Sequence, residues 1–295
     1  MGKTKLLIPL LTAFFSLSSC DQNRTDLTQK LDELTQGFPG EVGVAIISQE
    51  DTISINGNDP FPLFSVVKFH QALAVCEKMR SNQILNSNDM EIKAEDLKPD
   101  TYSPMLEKFP NGGYFSLHQL LEYTLVESDN NVCDILFKNI ASPIQVDSFI
   151  HTLGINDCAI RWTEEEQHAD MNRYLENWTT PLSAAQLLGL FHETSETDEH
   201  SRFLWQTMAK CQTGANRIPK YITDSTISIV HKTGTGGMLP DGKIMGINDI
   251  ACIVLPNGKH FELAVFIKDA SCDPATCEEL IAKIAKVCME KYGEE

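Results

Sequence analysis

Positive charge is scarce in this chain of 295 residues: 24 lysines and arginines stand against 41 acidic residues, a formal net charge of −17. No Lys/Arg-rich run occurs, so the basic footprint that a nucleic-acid partner requires is missing and no nucleic-acid binding is expected. Long apolar runs are also lacking. Past the N-terminal leader described below, no segment approaches the roughly 18 consecutive apolar residues of a spanning helix. The eight cysteines after Cys20 (76, 133, 158, 211, 252, 272, 277 and 288) have no zinc-ligand spacing, because Cys272-x4-Cys277 is followed by neither a second pair nor a His-x3-His. Neither metal nor cofactor is therefore expected. Cys76, Cys133 and Cys252 sit in apolar runs and suit buried thiols as well as bridges, so pairing stays open. There is no internal repeat, low-complexity tract or long linker. With 42% hydrophobic and 22% charged residues, the composition excludes wholesale disorder and fibrous architectures.

The first residues read as a secretory leader, residues 1–19. Lys3 and Lys5 precede an apolar run from Leu6 to Leu17 that is too short to span a bilayer, and small residues follow at Ser18-Ser19-Cys20. Leu17-Ser18-Ser19-Cys20 resembles the lipobox of bacterial lipoproteins, which implies acylation of Cys20, export to the periplasm and a lipid tether. An ordinary leader with an unrelated cysteine is the competing reading.

Beyond the leader, Val42 to Ile47 and Thr52 to Ile55 are short β-branched runs with a hairpin pattern. The middle is helical in periodicity, with apolar spacings of three and four over Phe69–Met79, Leu117–Val126 and Leu182–Phe191. Thr180-Pro181 supplies an N-cap and a first-turn proline to the last of these. Strand patterns return at Thr226–His231, Gly246–Leu255 and His260–Ile267, the last two joined by the turn Pro256-Asn257-Gly258. A helical run, Pro274–Tyr292, ends the chain. Because an isolated hairpin is marginally stable, the N-terminal strands are expected to join the C-terminal sheet. That makes residues 20–63 and 209–295 one discontinuous α/β lobe around a helical lobe at 64–208, with a cleft between them.

Three short motifs carry chemistry. Ser65-Val66-Val67-Lys68 puts a hydroxyl and an amine on one helix face, where the amine can act as the base a serine nucleophile needs. The helix N-terminus there favours developing negative charge. Ser128-Asp129-Asn130 places a hydroxyl, a carboxylate and an amide at a helix-to-helix corner. Lys232-Thr233-Gly234, followed by Thr235, continues a strand whose small residues leave room for a substrate. The first motif alone is expected by chance about once in such a chain, but all three in this order occur in about one chain in a thousand.

Together the motifs resemble the Ser-x-x-Lys, Ser-Asp-Asn and Lys-Thr-Gly set of class A β-lactamases and penicillin-binding proteins. The likeness extends over nearly the whole chain after the leader, through Thr101-Tyr102-Ser103-Pro104, Arg217 after Thr213-Gly214, and Asn177 to Pro181, and is greatest to the extended-loop, PER/CfxA-like branch of class A. It implies a two-lobed α/β (α+β) fold, with an antiparallel sheet flanked by helices plus an all-helical lobe and the active site between. It also implies hydrolysis of small-molecule β-lactams, cephalosporins and penicillins, by a monomer. Ser65 would attack the lactam carbonyl, with Lys68 or Glu164 as base, and the backbone N–H groups of Ser65 and Thr235 would hold the oxyanion. Ser128 would relay a proton to the leaving nitrogen, assisted by Lys68 and Lys232. The substrate carboxylate would meet Lys232, Thr233, Thr235 and Arg217, while Asn130 bonds the acylamide and Tyr102 walls the cleft.

The residue that separates a lactamase from a slowly released acyl-peptidase is a deacylating acid. Counting back thirteen residues from Asn177 selects Glu164, with Glu165 and Glu166 as neighbouring alternatives. His168 stands where most of class A has a water-positioning asparagine, and is expected to take that role. The competing functions are a penicillin-binding D,D-peptidase, a non-catalytic envelope lipoprotein and, more remotely, a serine-type glutaminase.

Overall fold

The computed structural model describes residues 17–81, 83–84 and 89–293. The leader at residues 1–16 and the side chain of Cys20 lie outside the described residues. Helix α1 (Leu17–Thr35) leads into the hairpin β1 (Glu41–Ser48) and β2 (Thr52–Ile55), then the two-residue β3 (Phe61–Pro62) and helix α2 (Val67–Arg80). Strands β4 (Met90–Lys93) and β5 (Gly112–Phe115) flank the short α3 (Pro104–Lys108). Helices α4 (Leu117–Val126), α5 (Asn130–Asn139) and α6 (Pro143–Thr152) follow, then β6 (Cys158–Ala159), α7 (Glu164–Ala169) and β7 (Trp178–Thr179). Helices α8 (Pro181–Thr197) and α9 (Glu199–Met208) precede β8 (Ser228–Thr235), β9 (Ile244–Val254), β10 (His260–Ala270) and helix α10 (Pro274–Tyr292).

The N-terminal hairpin does add to the C-terminal strands. They form one five-stranded sheet in the order β2-β1-β10-β9-β8, with β1 antiparallel to β10. Each face of the sheet supports its own apolar cluster, as alternation along a strand requires. Val44, Ile46, Ile253, Leu263 and Val265 pack against Leu27 and Leu31 of α1 and Leu280, Ile281 and Ile284 of α10. Ala45, Val230, Ile250, Ala264 and Phe266 face the helical side, where α2, α4, α5, α8 and α9 contribute most of the rest. Helix α2 is buried almost all round, from Val67 to Cys76, and so runs through the centre of the helical side.

Local chemistry fixes the ends of the helices. Ser116 accepts from Gln119 N at 3.3 Å while Gln119 Oε1 accepts from Ser116 N at 2.9 Å, a capping box that starts α4. Thr180 caps α8 by accepting from Ser183 N at 3.1 Å, with Pro181 in the first turn. Two sequence expectations need correction. Ser65 lies in a 3-10 turn, Phe64–Val66, and regular α-helix begins only at Val67. The helical middle also holds short strands, β4 to β7. Strand β8 continues past His231 through Lys232-Thr233-Gly234 to Thr235, as expected, at the edge of the sheet where it pairs on one side only. All eight cysteines after Cys20 are free thiols.

Candidate active site

The edge strand β8 lies against the turn bearing Ser65, and Gly234 allows that approach. A Cβ at Gly234 would sit 2.6 Å from the Leu63 carbonyl oxygen, closer than any side chain tolerates. Phe64, just before Ser65, has φ +45°, and Ser128 has φ +60°. Left-handed backbone at non-glycine residues costs about 1–3 kcal/mol each and persists where surrounding contacts impose it. At Ser128 the outcome is that carbonyl and hydroxyl both turn toward buried lysines.

Lys68 is fully buried and its Nζ is the hub of the cluster. It donates to Ser65 Oγ at 2.9 Å, to the Ser128 carbonyl at 2.9 Å and to Asn130 Oδ1, and stands 3.2 Å from Glu164 Oε1. Lys232, also fully buried, donates to Ser128 Oγ at 2.9 Å. Ser128 Oγ thus touches one ammonium and lies 3.5 Å from the other. Two lysines in so small a dry volume do not both hold a proton easily. Burial first, and the Lys68 charge second, pull Lys232 from the ordinary lysine value down to about 7.

The three glutamates of the loop point in different directions. Glu164 is buried and points to Lys68, whereas Glu165 is exposed, 3.8 Å from Lys98 Nζ. The Glu166 carboxylate turns back to accept from Thr163 N at 3.0 Å, closing the capping box of α7. Glu164 Oε1 is buried and accepts no aligned hydrogen bond, since its Lys68 contact is one of charge alone. A free lone pair that shares one ammonium with Ser65 Oγ suits a water lying between them.

The loop is held by two side chains. Asn177, fully buried, accepts from Arg161 N at 2.7 Å and Trp162 N at 3.0 Å, and donates to the Trp162 carbonyl at 2.8 Å. Asn177→Ala leaves those backbone groups unsatisfied and is expected to cost about 3 kcal/mol. A denaturant midpoint that falls with an unchanged slope would register it. The second support was not anticipated. Asp134 accepts from Glu164 N at 2.7 Å and Glu165 N at 2.9 Å, so it acts as the cap that α7 borrows from α5. Burial, then the Glu164 charge, push Asp134 up to about 7. Nothing in the sequence around residue 134 connects it to a loop thirty positions later.

His168 is not brought to this cluster. It is exposed, four residues along α7 from Glu164, and forms no hydrogen bond among the described residues. The water-positioning expectation for His168 therefore finds no contact, because α7 turns its outer face there to solvent. The remaining expected residues do converge. A cavity of about 310 Å³ is lined by Ser65, Tyr102, Ser128, Asn130, Thr213, Arg217, Thr233 and Thr235. Hollows of about 450 and 370 Å³ exist elsewhere, but neither holds the Ser65 hydroxyl or either buried lysine. Asn130 Nδ2 donates to Thr101 Oγ1 at 2.9 Å, and Asp129 holds the adjoining Ser103 hydroxyl at 2.9 Å, which fixes the Tyr102 wall. Arg217 is buried rather than on the surface. It donates to Thr235 Oγ1 at 2.7 Å and to the Gly234 and Asn248 carbonyls, with Glu278 at 3.1 Å as its counter-ion.

An antiparallel sheet backed by helices, with a serine and two lysines at the junction, is the arrangement of the serine β-lactamase class. Residues 26–292 match the model of the beta-lactamase enzyme family, and the chain belongs to that family. It is 39% identical over 267 residues to a beta-lactamase of Phocaeicola vulgatus, covering 88% of this chain and 83% of that one. It is 34% identical to beta-lactamase VEB-1 of Pseudomonas aeruginosa, over 98% of this chain and 97% of that one. A solved class A beta-lactamase from Bacteroides cellulosilyticus superposes with a TM-score of 0.88 at 32% identity, over 92% and 99% of the two chains. The protein is thus a class A β-lactamase, a hydrolase acting on β-lactams.

Proposed function

We propose that the chain hydrolyses cephalosporins and penicillins through an acyl-serine intermediate on Ser65. The observation that carries this reading is the single Lys68 ammonium that contacts Ser65 Oγ, Ser128 and Glu164 together. Ser65 attacks the lactam carbonyl as its proton passes to Lys68, after Lys68 has given its own proton to the neighbouring Glu164 or to solvent, or through a water to Glu164. The backbone N–H groups of Ser65 and Thr235 receive the oxyanion, each contributing about 3 kcal/mol. Ser128, between the two lysines, hands a proton to the departing nitrogen. Glu164 then draws a proton from a water that attacks the ester. Substrate carboxylate meets Lys232, Thr233 and Thr235. Arg217 supports that end of β8 through Thr235, and four of its five N–H donors are already engaged. Asn130 and Tyr102 orient the side chain of the substrate.

Residues 20–63 with 209–295, and 64–208, serve as two lobes with the cleft at their junction. The leader exports the chain to the periplasm, and the Cys20 lipobox tethers it by lipid to the membrane surface as a monomer. Steady hydrolysis of a chromogenic cephalosporin tests the catalytic reading. A single burst equal to the enzyme concentration, then silence, would favour a D,D-peptidase, and absence of any adduct by intact mass would favour a non-catalytic lipoprotein.

Because Lys232 sits near 7 in the empty cleft, its charge is present below that pH and lost above it. The kcat/KM profile is therefore expected to fall through an alkaline limb near pH 7. The limb in kcat should lie higher, since a bound carboxylate restores the ammonium. Lys232→Arg, always charged, should remove the limb, and a limb unchanged in that variant would assign it to another group.

A further inference from the structure

A second set of reactive side chains lies away from the Ser65 cleft, where α8 crosses the sheet. On β10, His260 and Glu262 are two residues apart and share a face, and Cys252 of β9 is the direct cross-strand partner of Glu262. Helix α8 lays His192 over the pair. One donor atom each from His192, Cys252 and Glu262 lies within 4.8 Å of the others. The His260 ring is 4.0 Å from that of His192, and its Nε2 is 3.6 Å from Glu262 Oε1.

Cys252 and Glu262 are buried, at 0% and 2% exposure, and among the described residues Glu262 forms an ion pair with His260 alone. A carboxylate in such a place needs a positive partner. Cys252 Sγ also donates to Glu262 Oε1 at 3.6 Å, so a thiol, a carboxylate and an imidazole converge on one point at the sheet. Gly189, one turn before His192, leaves the approach open: a Cβ there would only reach ordinary contact, 3.8 Å from Glu262 Cδ. Both histidines are partly exposed, which gives an ion a way in from solvent.

We propose that His192, Cys252 and Glu262 bind one zinc-class divalent cation, with His260 orienting the Glu262 carboxylate and water completing the coordination. Imidazole, thiolate and carboxylate together suit Zn²⁺ over the hard cations Mg²⁺ and Ca²⁺. Bonds of about 2.0–2.3 Å require the three donors to draw together by about an ångström, a side-chain movement. Cys252 releases its proton to solvent as the thiolate–metal bond forms. Spacing patterns miss such a site because the three ligands come from three elements, sixty and ten residues apart.

The test uses the full chain dialysed against a chelator and titrated with Co²⁺, then Zn²⁺. The expected result is one Co²⁺ per chain with thiolate-to-metal charge-transfer absorption, displaced by one equivalent of Zn²⁺, and a melting temperature that rises with Zn²⁺. Cys252→Ser should abolish the charge-transfer band. His260→Ala should keep the band and weaken binding about 10–100-fold, the usual effect of losing an outer partner. His192→Asn, at a partly exposed position, serves where Cys252→Ser fails to fold, and should weaken binding at least as much as His260→Ala. Co²⁺ binding without the band, an unaltered Zn²⁺ equivalent in His192→Asn, or no binding by the parent chain would each overturn the proposal.

Discussion

Replacing Ser65 with alanine is expected to end covalent capture of a β-lactam and to lower kcat/KM by roughly 10⁶-fold, the loss seen when a serine hydrolase loses its nucleophile. The prediction is demanding because a second hydroxyl is close. Ser128 Oγ is 2.9 Å from Lys232 Nζ and 3.5 Å from Lys68 Nζ, so it too has a base within reach. Position distinguishes the two. Ser65 sits in the turn entering α2, where its own backbone N–H and the helix N-terminus favour an oxyanion, while Lys68 donates to its oxygen at 2.9 Å. Ser128 is held in left-handed backbone between two ammonium groups, a position for passing a proton. Intact mass after exposure to penicillin should thus show no adduct for Ser65→Ala and a slowly formed adduct for Ser128→Ala. An adduct that survives in the first variant and vanishes in the second would exchange their roles.

How much of this was legible beforehand follows from the range of each interaction. The hairpin of β1 and β2, the cap at Thr180 and the turn at Gly258 are written in neighbouring residues. Each was read where it stands, with ends within a few residues. The Ser65–Lys68 contact is likewise local, one helical turn. Beyond that, three-residue motifs identified the groups but not how they meet. The positive φ of Ser128, which turns it toward both lysines, has no local signature, since serine ordinarily avoids that region. Asp134 was missed because its partners are the backbone N–H groups of a loop thirty residues on, and backbone groups look alike in any sequence. His168 misled for the converse reason. Its place matches that of the water-positioning asparagine of class A, yet α7 is only six residues long and its fourth residue past Glu164 already faces solvent. The extension of β8 through Gly234 was legible, but the reason for the glycine was not, because the Leu63 carbonyl it makes room for lies about 170 residues earlier.

Glu164→Gln is expected to separate the two halves of the reaction. The amide keeps the size of the carboxyl and its place beside Lys68 but cannot take a proton from water, so release of the acyl group should slow about 10²–10⁴-fold. With a chromogenic cephalosporin the progress curve should show a burst equal to the enzyme, then a slow steady state, and intact mass should show stoichiometric acyl-enzyme. The burst itself is informative. If its rate matches the parent, neutral Lys68 suffices as the base that activates Ser65; if it falls in parallel with release, Glu164 serves both steps through a water. The neighbouring acids provide the contrast. Glu165→Gln changes a side chain exposed at the loop surface, and Glu166→Gln retains an amide oxygen for the capping bond to Thr163 N. Both should turn over at close to the parent rate. Asp134, raised to about 7 and next to Glu164, is the remaining candidate base, but each of its oxygens already accepts a backbone N–H, which leaves it a positioning group. Parent-like turnover by Glu164→Gln, with trapping in Glu165→Gln or Glu166→Gln, would move the deacylating role to that residue and refute the register of the loop.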